Sequence, residues 1–226
     1  MIKFAFKIPT PSLEISGSGQ RFPVRRIFCV GRNYAEHAKE FGNDERDPPF
    51  FFTKPADAIV PSGSILPYPP LTKEVHHEGE LVVAIGAGGS NITVQEAITH
   101  IFGFAAGNDL TRRDLQATAK SQRRPWDMSK AFDNSAIIGP LLQQQHMPNE
   151  TRVRCLVNGE VRQTGKLAQM TWPINDIIAI LSNYVALAPG DLIMTGTPAG
   201  VGPVTLGETC SVDIDGLSPA IFTYTT

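Results

Sequence analysis

Glycine and proline interrupt this chain at short intervals along its whole length. The 226 residues include 20 glycines and 18 prolines, which are scattered rather than collected into one linker. Because both residues tend to end regular structure, this spacing favours many short strands and turns over a few long helices. We therefore predict an α+β fold in which β-structure dominates and the helices are few and short.

The composition indicates a globular protein and argues against nucleic-acid and membrane partners. Hydrophobic residues make up 42% of the chain, and the net charge of -2 gives no general attraction to phosphate backbones or anionic lipid. The three cysteines, Cys29, Cys155 and Cys210, lack the paired spacing of a disulfide framework or a thiolate metal site. The sequence shows neither a signal peptide nor an apolar stretch of transmembrane length. We expect a cytoplasmic protein.

Local patterns predict the main elements. Residues 1–24 are expected to form a leader or hairpin, and 25–226 a single domain. Helical periodicity predicts three helices. The first covers 33–41, the second begins with Thr93 and Glu96 as a capping box and ends before Gly103, and the third begins at Pro173. Strands are predicted at 81–85, 154–157, 161–162, 192–194, 211–214 and 220–224, with Asn158 and Gly159 as a hairpin turn.

Two glutamates, Glu78 and Glu80, stand where the apolar strand 81–85 begins. The two-residue period of a strand places both on one face, where like charges repel unless a cation lies between them. Carboxylate oxygens suit Mg²⁺, Mn²⁺ or Ca²⁺ better than Zn²⁺, although the preceding His76 and His77 leave a transition-metal site open. A solvated edge strand with acidic residues is the alternative interpretation.

Asp109 is the candidate for a third carboxylate ligand. It follows the small-residue segment 103–107, which we predict as a strand that stops at Asn108 and Asp109. Arg113 and Gln116 come soon after it, and both side chain types can bind a substrate carboxylate. An Asx turn followed by the start of an exposed, salt-bridged helix is the alternative interpretation.

Three further side chains are candidates for catalysis. His37 and Glu40 are three residues apart in the first predicted helix, where a carboxylate beside an imidazole can form a general base. An ordinary contact on a helix surface explains the same spacing. Lys130 lies near aromatic residues and can point into a pocket or into solvent. The glycine-rich segment 194–203 follows a strand and can bring backbone amides close to a ligand, but it lacks the spacing of a P-loop.

Six blocks of this sequence, taken together in their order and spacing, resemble the fumarylacetoacetate hydrolase family. The blocks are 30–37 (VGRNYAEH), 52–55 (FTKP), 77–81 (HEGEL), 109–114 (DLTRRD), 130–133 (KAFD) and 195–198 (TGTP). The resemblance runs from about Arg25 to near the C-terminus. It implies that 25–226 form a catalytic domain of the fumarylacetoacetase C-terminal type, a mixed β-sandwich rolled around the site, and that the protein is a homodimer.

The resemblance also implies roles for individual residues. Glu78, Glu80 and Asp109 match the family's divalent-metal ligands, with Mg²⁺ preferred and Mn²⁺ or Ca²⁺ as alternatives. His37 and Glu40 match its water-activating dyad, and Lys130 a group that stabilises oxyanion charge or delivers a proton. Arg113, Gln116 and Thr197 match substrate-contacting positions. Residue 79 is glycine where bulkier residues also occur, and its side-chain direction, away from the metal, predicts little effect on ligation.

The activity implied is hydrolysis of a carbon–carbon bond in a 2,4-diketo acid. Some blocks look like the fumarylpyruvate hydrolase branch, which releases fumarate and pyruvate in gentisate-type aromatic degradation. Arg123 or Arg124 would suit the second anionic end of such a substrate, although surface solubility explains these arginines equally well. The alternative is an oxaloacetate decarboxylase or keto-enol isomerase at the same site. A non-catalytic protein that binds a ligand or nucleic acid through its arginine pairs (25–26, 112–113, 123–124) is disfavoured because the pairs are dispersed.

Overall fold

The structure is a computed structural model that describes residues 3–34 and 48–225. Its strands are β1 (Ser12–Glu14), β2 (Arg21–Pro23), β3 (Arg26–Gly31), β4 (Phe50–Lys54), β5 (Ile59–Pro61), β6 (Ser64–Leu66), β7 (Val75–His77), β8 (Gly79–Ile85), β9 (Ile101–Asp109), β10 (Thr111–Arg112), β11 (Ala136–Ile138), β12 (Arg152–Val157), β13 (Glu160–Lys166), β14 (Asp191–Met194), β15 (Gly202–Pro203), β16 (Thr209–Ile214) and β17 (Ala220–Tyr224). The α-helices are α1 (Ala97–His100), α2 (Arg113–Ser121), α3 (Asp127–Lys130) and α4 (Ile174–Tyr184), and 3₁₀ turns occur at Ala56–Ala58 and Leu167–Gln169. None of the helices in these ranges is both long and apolar enough to cross a membrane.

A mixed seven-stranded sheet forms the centre of the fold, in the order β4-β3-β14-β8-β9-β11-β5. The pairs β3–β14 and β5–β11 are parallel and the others antiparallel. Every residue of the central strand β8 is buried. Its side chains alternate between two apolar cores, since Leu81 and Val83 belong to one and Val82 and Ala84 to the other. Burial on both faces explains why this strand appears in the sequence as an unbroken apolar run.

A five-stranded sheet, β13-β12-β16-β17-β6, packs over the first of these cores. Its β12–β13 hairpin turns at Asn158 and Gly159, whose φ angles of 51° and 82° both lie in the left-handed region that a tight hairpin requires. The second core is covered in part by the β1–β2 hairpin through Leu13 and Phe22. The strand-dominated, curled arrangement of sheets is the predicted fold class.

Most predicted elements are confirmed, and one helix is shorter than predicted. The strands at 81–85, 192–194 and 220–224 are present, and helix α4 begins directly after Pro173. The helix predicted after Thr93 is only the single turn α1, because Ile101 already pairs with Ile85 in the central sheet. Burial in that sheet therefore outweighs the local helical period. From residue 35 onward, the helix predicted at 33–41 lies outside the described residues.

Candidate metal and substrate site

Three carboxylates meet where the two central strands end. Glu78 directly precedes β8, Glu80 lies within it, and Asp109 is the last residue of β9. The strands are in register there, and the backbone N–H of Asp109 donates to the carbonyl of Glu78 over 2.9 Å. One oxygen from each carboxylate lies within 4.8 Å of the others, and all three residues are buried. The pairing of β8 with β9 thus brings Asp109 to the two glutamates, although it follows Glu80 by 29 positions in the sequence.

Three cations surround these carboxylates, and two of them, Lys54 and Lys130, are buried. The Lys130 Nζ lies 2.7 Å from Glu78 Oε2 and 2.8 Å from Asp109 Oδ2. The Lys54 Nζ lies 2.8 Å from Asp109 Oδ1, and the Arg113 guanidinium donates to Glu78 Oε1. Burial by itself would lower the pKa of Lys130, but the charges of Asp109 and Glu78 outweigh it and the pKa is raised above its ordinary value. Among the described residues, three cations therefore balance three carboxylates.

Glu80 has the least compensated charge of the three carboxylates. It accepts a hydrogen bond of 2.8 Å from the backbone N–H of Gly196, and burial together with the charges of Asp109 and Glu78 raises its pKa well above the ordinary value. A cluster of this kind favours a cation, and a donor set made only of carboxylate oxygens suits a hard divalent ion. The residues present therefore fit the divalent metal that the resemblance implies.

Neither His76 nor His77 belongs to this cluster. His77 Nδ1 lies 2.9 Å from Gln163 Oε1, and His76 Nε2 lies 2.8 Å from Glu74 Oε1. Within residues 3–34 and 48–225, the three carboxylates are the one group of three or more His, Cys, Asp or Glu side chains that can hold an ion. The glutamates are therefore buried and not on a solvated edge strand, and neither His76 nor His77 joins them as a potential ligand.

A cleft opens above the carboxylates. Arg113 and Gln116 project into it from the first turn of α2, and Arg113 Nη1 donates to Gln116 Oε1 over 2.6 Å. Lys130 reaches it from the end of α3, and Thr197 from the glycine-rich segment. The cleft is lined by Val30, Gly31, Arg32, Phe50, Phe52, Glu78, Glu80, Arg113, Gln116, Lys120, Trp126, Lys130 and Thr197. The structure thus brings the predicted substrate-contacting residues to the predicted metal ligands.

The glycine-rich segment is fixed below the cleft by a buried glutamine. Gln163 Nε2 donates to Thr197 Oγ1 over 2.7 Å, and its Oε1 accepts from the backbone N–H of Gly79 over 3.0 Å. Gly196 has φ of +95°, and a Cβ there would stand 2.8 Å from the Cβ of Asn33. Only glycine fits this approach. Gln163 was missed in the sequence because nothing near it in β13 distinguishes it from an exposed polar residue.

Several predicted residues fall elsewhere. His37 and Glu40 lie outside the described residues. Arg123 and Arg124 are exposed and absent from the cleft lining, so they do not serve the second anionic end. The pair 25–26 binds the buried carboxylate of Asp191, with Nη···Oδ distances of 3.2 and 2.7 Å, which leaves it no role on an open basic surface. Lys54, in the FTKP block, was given no role in the sequence although it contacts the carboxylate cluster.

Comparison with known proteins gives consistent matches over most of the chain. Residues 26–223 match the family model described as fumarylacetoacetate (FAA) hydrolase C-terminal. The crystal structure of fumarylpyruvate hydrolase from Pseudomonas aeruginosa in complex with Mn²⁺ and pyruvate has a TM-score of 0.94 and 48% sequence identity, and covers 99% of each chain. An oxaloacetate tautomerase from Escherichia coli is 40% identical over 200 residues, 87% of this chain and 91% of its own. A fumarylpyruvate hydrolase from a Ralstonia species is 41% identical over 170 residues, 75% of this chain and 88% of its own.

Proposed function

Because this chain belongs to the fumarylacetoacetate hydrolase family, we propose that it is a divalent-metal-dependent hydrolase of 2,4-diketo acids with fumarylpyruvate as its substrate. The observation that carries the proposal is the buried cluster of Glu78, Glu80 and Asp109 at the floor of a cleft lined by Arg113, Gln116 and Lys130. The likeness to the fumarylpyruvate hydrolase from Pseudomonas aeruginosa supports the choice of substrate.

Glu78, Glu80 and Asp109 are the residues that would hold the metal. When bound, a divalent cation supplies a Lewis acid that polarises an oxo group and stabilises negative charge on oxygen. We propose Mg²⁺ in the cell, and Mn²⁺ as an ion that the same oxygen ligands accept. The Mn²⁺ in the Pseudomonas aeruginosa structure supports a divalent site in this fold.

The chain's own side chains bind and orient the substrate. Arg113 and Gln116 supply N–H donors on one wall of the cleft, and a guanidinium is well suited to a carboxylate. Thr197 also lines the cleft, where it accepts a hydrogen bond from Gln163 and donates to the carbonyl of Gly79. Lys130 is buried and lies beside Glu78 and Asp109, so its ammonium stands where it can stabilise developing oxyanion charge or deliver a proton.

Water activation is assigned to His37 with Glu40, as the resemblance implies. In the reaction, His37 takes a proton from water and the hydroxide adds to the C4 carbonyl carbon of fumarylpyruvate. The bond between C3 and C4 then breaks, its electron pair remains with C3, and C3 takes up a proton. The products are fumarate and pyruvate, and one water is consumed.

Turnover of oxaloacetate, by keto-enol tautomerisation or decarboxylation, is the second candidate function. It is supported by the 40% identity to the oxaloacetate tautomerase from Escherichia coli. Neither reaction needs an activated water, whereas hydrolysis does. His37→Ala should therefore abolish cleavage of fumarylpyruvate and spare much of any activity on oxaloacetate. Loss of both activities together would contradict the role given to His37.

The test is the loss of diketone absorbance with fumarylpyruvate, acetylpyruvate and oxaloacetate, with pyruvate release measured in parallel. Each substrate is assayed with Mg²⁺, with Mn²⁺ and after EDTA. Metal-dependent and selective cleavage of fumarylpyruvate is the expected result. Turnover of oxaloacetate alone would replace the proposal by the second candidate, and light scattering of the same sample tests the homodimer.

A further inference from the structure

The exposed, outer end of the cleft carries two cations. Arg32 follows β3 and Lys120 lies near the end of α2, and both line the cleft. Both are exposed, whereas Glu78, Glu80 and Lys130 at the inner end are buried. We name Arg32 and Lys120 the outer cation pair.

Aromatic rings connect the two ends of the cleft. The Lys130 Nζ lies 5.0 Å from the centre of the Phe52 ring, and the Lys120 Nζ lies 5.0 Å from that of Trp126. The rings of Phe52 and Trp126 are 6.1 Å apart, and Phe50 meets Trp126 edge to face at 5.4 Å. A substrate that extends from the carboxylate cluster toward the outer cation pair therefore runs along apolar, flat surfaces, which suit a planar conjugated chain.

The charge along the cleft is unequal. Among the residues that the structure describes, the acidic side chains in its lining are Glu78 and Glu80, both at the inner end, where Arg113 and Lys130 contact Glu78. Arg32 and Lys120 add two positive charges to this lining. Burial and the positive charges of Arg113 and Arg32 lower the pKa of Lys120, which indicates a positive potential in this part of the cleft. A positive, partly desolvated end is the environment that an anionic group prefers.

Arg32 is held toward the cleft by an unusual backbone. Its φ of 61° is left-handed, which is uncommon for arginine. The next residue, Asn33, is buried and fixes this turn, because its Nδ2 donates to the carbonyl of Thr195 over 2.8 Å and to that of Trp172 over 3.0 Å. The Arg32 guanidinium then lies 5.4 Å from the centre of the Phe50 ring. Conformations of this kind persist where the surroundings impose them, often at binding sites.

We propose that the outer cation pair binds the distal carboxylate of a dicarboxylic acylpyruvate and so selects for such substrates. This rests on the proposed function, and it assigns to Arg32 and Lys120 the role that Arg123 or Arg124 does not fill. Fumarylpyruvate is a seven-carbon chain with a conjugated double bond before its second carboxylate, which matches the aromatic walls and the cations beyond them. Acetylpyruvate lacks that carboxylate, and oxaloacetate, with four carbons, is three carbons shorter.

The test compares the ratio of kcat/KM for fumarylpyruvate to kcat/KM for acetylpyruvate in Arg32→Gln, Lys120→Gln and the double variant. The control is Arg124→Gln, which removes the same charge from an exposed arginine outside the cleft lining. We expect the ratio to fall about tenfold or more for each single variant, mainly through KM, since each loses a charge-assisted hydrogen bond. Arg124→Gln should leave the ratio unchanged.

Two results would overturn the proposal. One is an equal loss on both substrates, which would mean a general structural role, and the other is an unchanged ratio in the double variant. If the wild-type protein cleaves acetylpyruvate at least as well as fumarylpyruvate, the outer cation pair has no selective role while the hydrolase stands.

A binding measurement tests the outer cation pair independently of the hydrolase activity. If neither substrate is cleaved, the proposed function fails, and both compounds are then titrated by calorimetry into the protein with Mn²⁺. Tighter binding of fumarylpyruvate that the double variant loses would support the outer cation pair. Equal binding of the two compounds would refute it.

Discussion

Replacement of Lys54 by methionine tests whether a buried cation is essential to the carboxylate cluster. Lys54 is 2% exposed, and its Nζ lies 2.8 Å from Asp109 Oδ1 and 3.1 Å from the carbonyl oxygen of Leu110. Methionine keeps the length of the apolar side chain and removes the charge. Asp109 would then lose one of its two neighbouring cations without any change in the packing of strand β4.

The expected cost follows from distance and burial. At 2.8 Å and an effective dielectric constant of about 20, the attraction between the two charges is about 6 kcal/mol. Part of it is offset because the lysine no longer has to be desolvated. Removal of one partner from a buried pair typically costs about 3–5 kcal/mol, and we expect Lys54→Met to lower the free energy of unfolding by this amount.

The assay is urea unfolding followed by tryptophan fluorescence, with Lys166→Met as the matched control. The Lys166 Nζ lies 2.6 Å from Glu150 Oε2, but the two side chains are 50% and 74% exposed. Solvent screens that pair, so its loss should cost less than about 1 kcal/mol. Equal losses in the two variants would refute the reasoning, because the Lys54 pair is buried and the Lys166 pair is largely exposed. If Lys54→Met does not fold, Lys54→Arg, which keeps the charge, should still fold.

Three further predictions concern the site and its surroundings. Gly79→Val should lower the free energy of unfolding by about 1–3 kcal/mol, because a Cβ at Gly79 already stands 3.1 Å from that of Cys155; an unchanged urea midpoint would contradict it. Burial would raise the pKa of Asp114, but the hydroxyl and backbone N–H groups that donate to it lower the pKa overall. The ionised Asp114 therefore stabilises the folded state, and this contribution is lost as the pH falls below about 4. Asp114→Asn should flatten the pH dependence of the melting temperature in that range. Mn²⁺ at about a hundred times its Kd should stabilise the wild type by about 2.7 kcal/mol, and a similar gain in Asp109→Asn would count against Asp109 as a ligand.

The sequence predicts those elements whose cause is local. The apolar run of β8, the proline before α4 and the Asn158–Gly159 turn each contain the interaction that forms them, and all three appear in the structure. The helix after Thr93 is shorter than predicted because the pairing of Ile101 with Ile85 is not visible in the local period. Pairing with a strand that is distant in sequence therefore sets where this helix ends.

In the candidate site, too, the sequence identifies some residues and not others. Family resemblance singles out Glu78, Glu80 and Asp109, and the structure brings them together. Lys54 and Gln163 could not be found, because a buried lysine and a buried glutamine have the same neighbours in sequence as exposed ones. Their partners are distant along the chain, Asp109 for Lys54 and Thr197 for Gln163.

The alternation of β8 between two cores has a consequence for how this protein can change. Glu80 lies on a strand that both cores cover, so we expect the amides of β8 to be among the slowest to exchange with solvent. Arg32, Lys120 and Trp126 stand instead on a turn and at the ends of short helices. New substrates can therefore be accommodated by replacing peripheral side chains, while the metal chemistry stays tied to the most rigid part of the molecule.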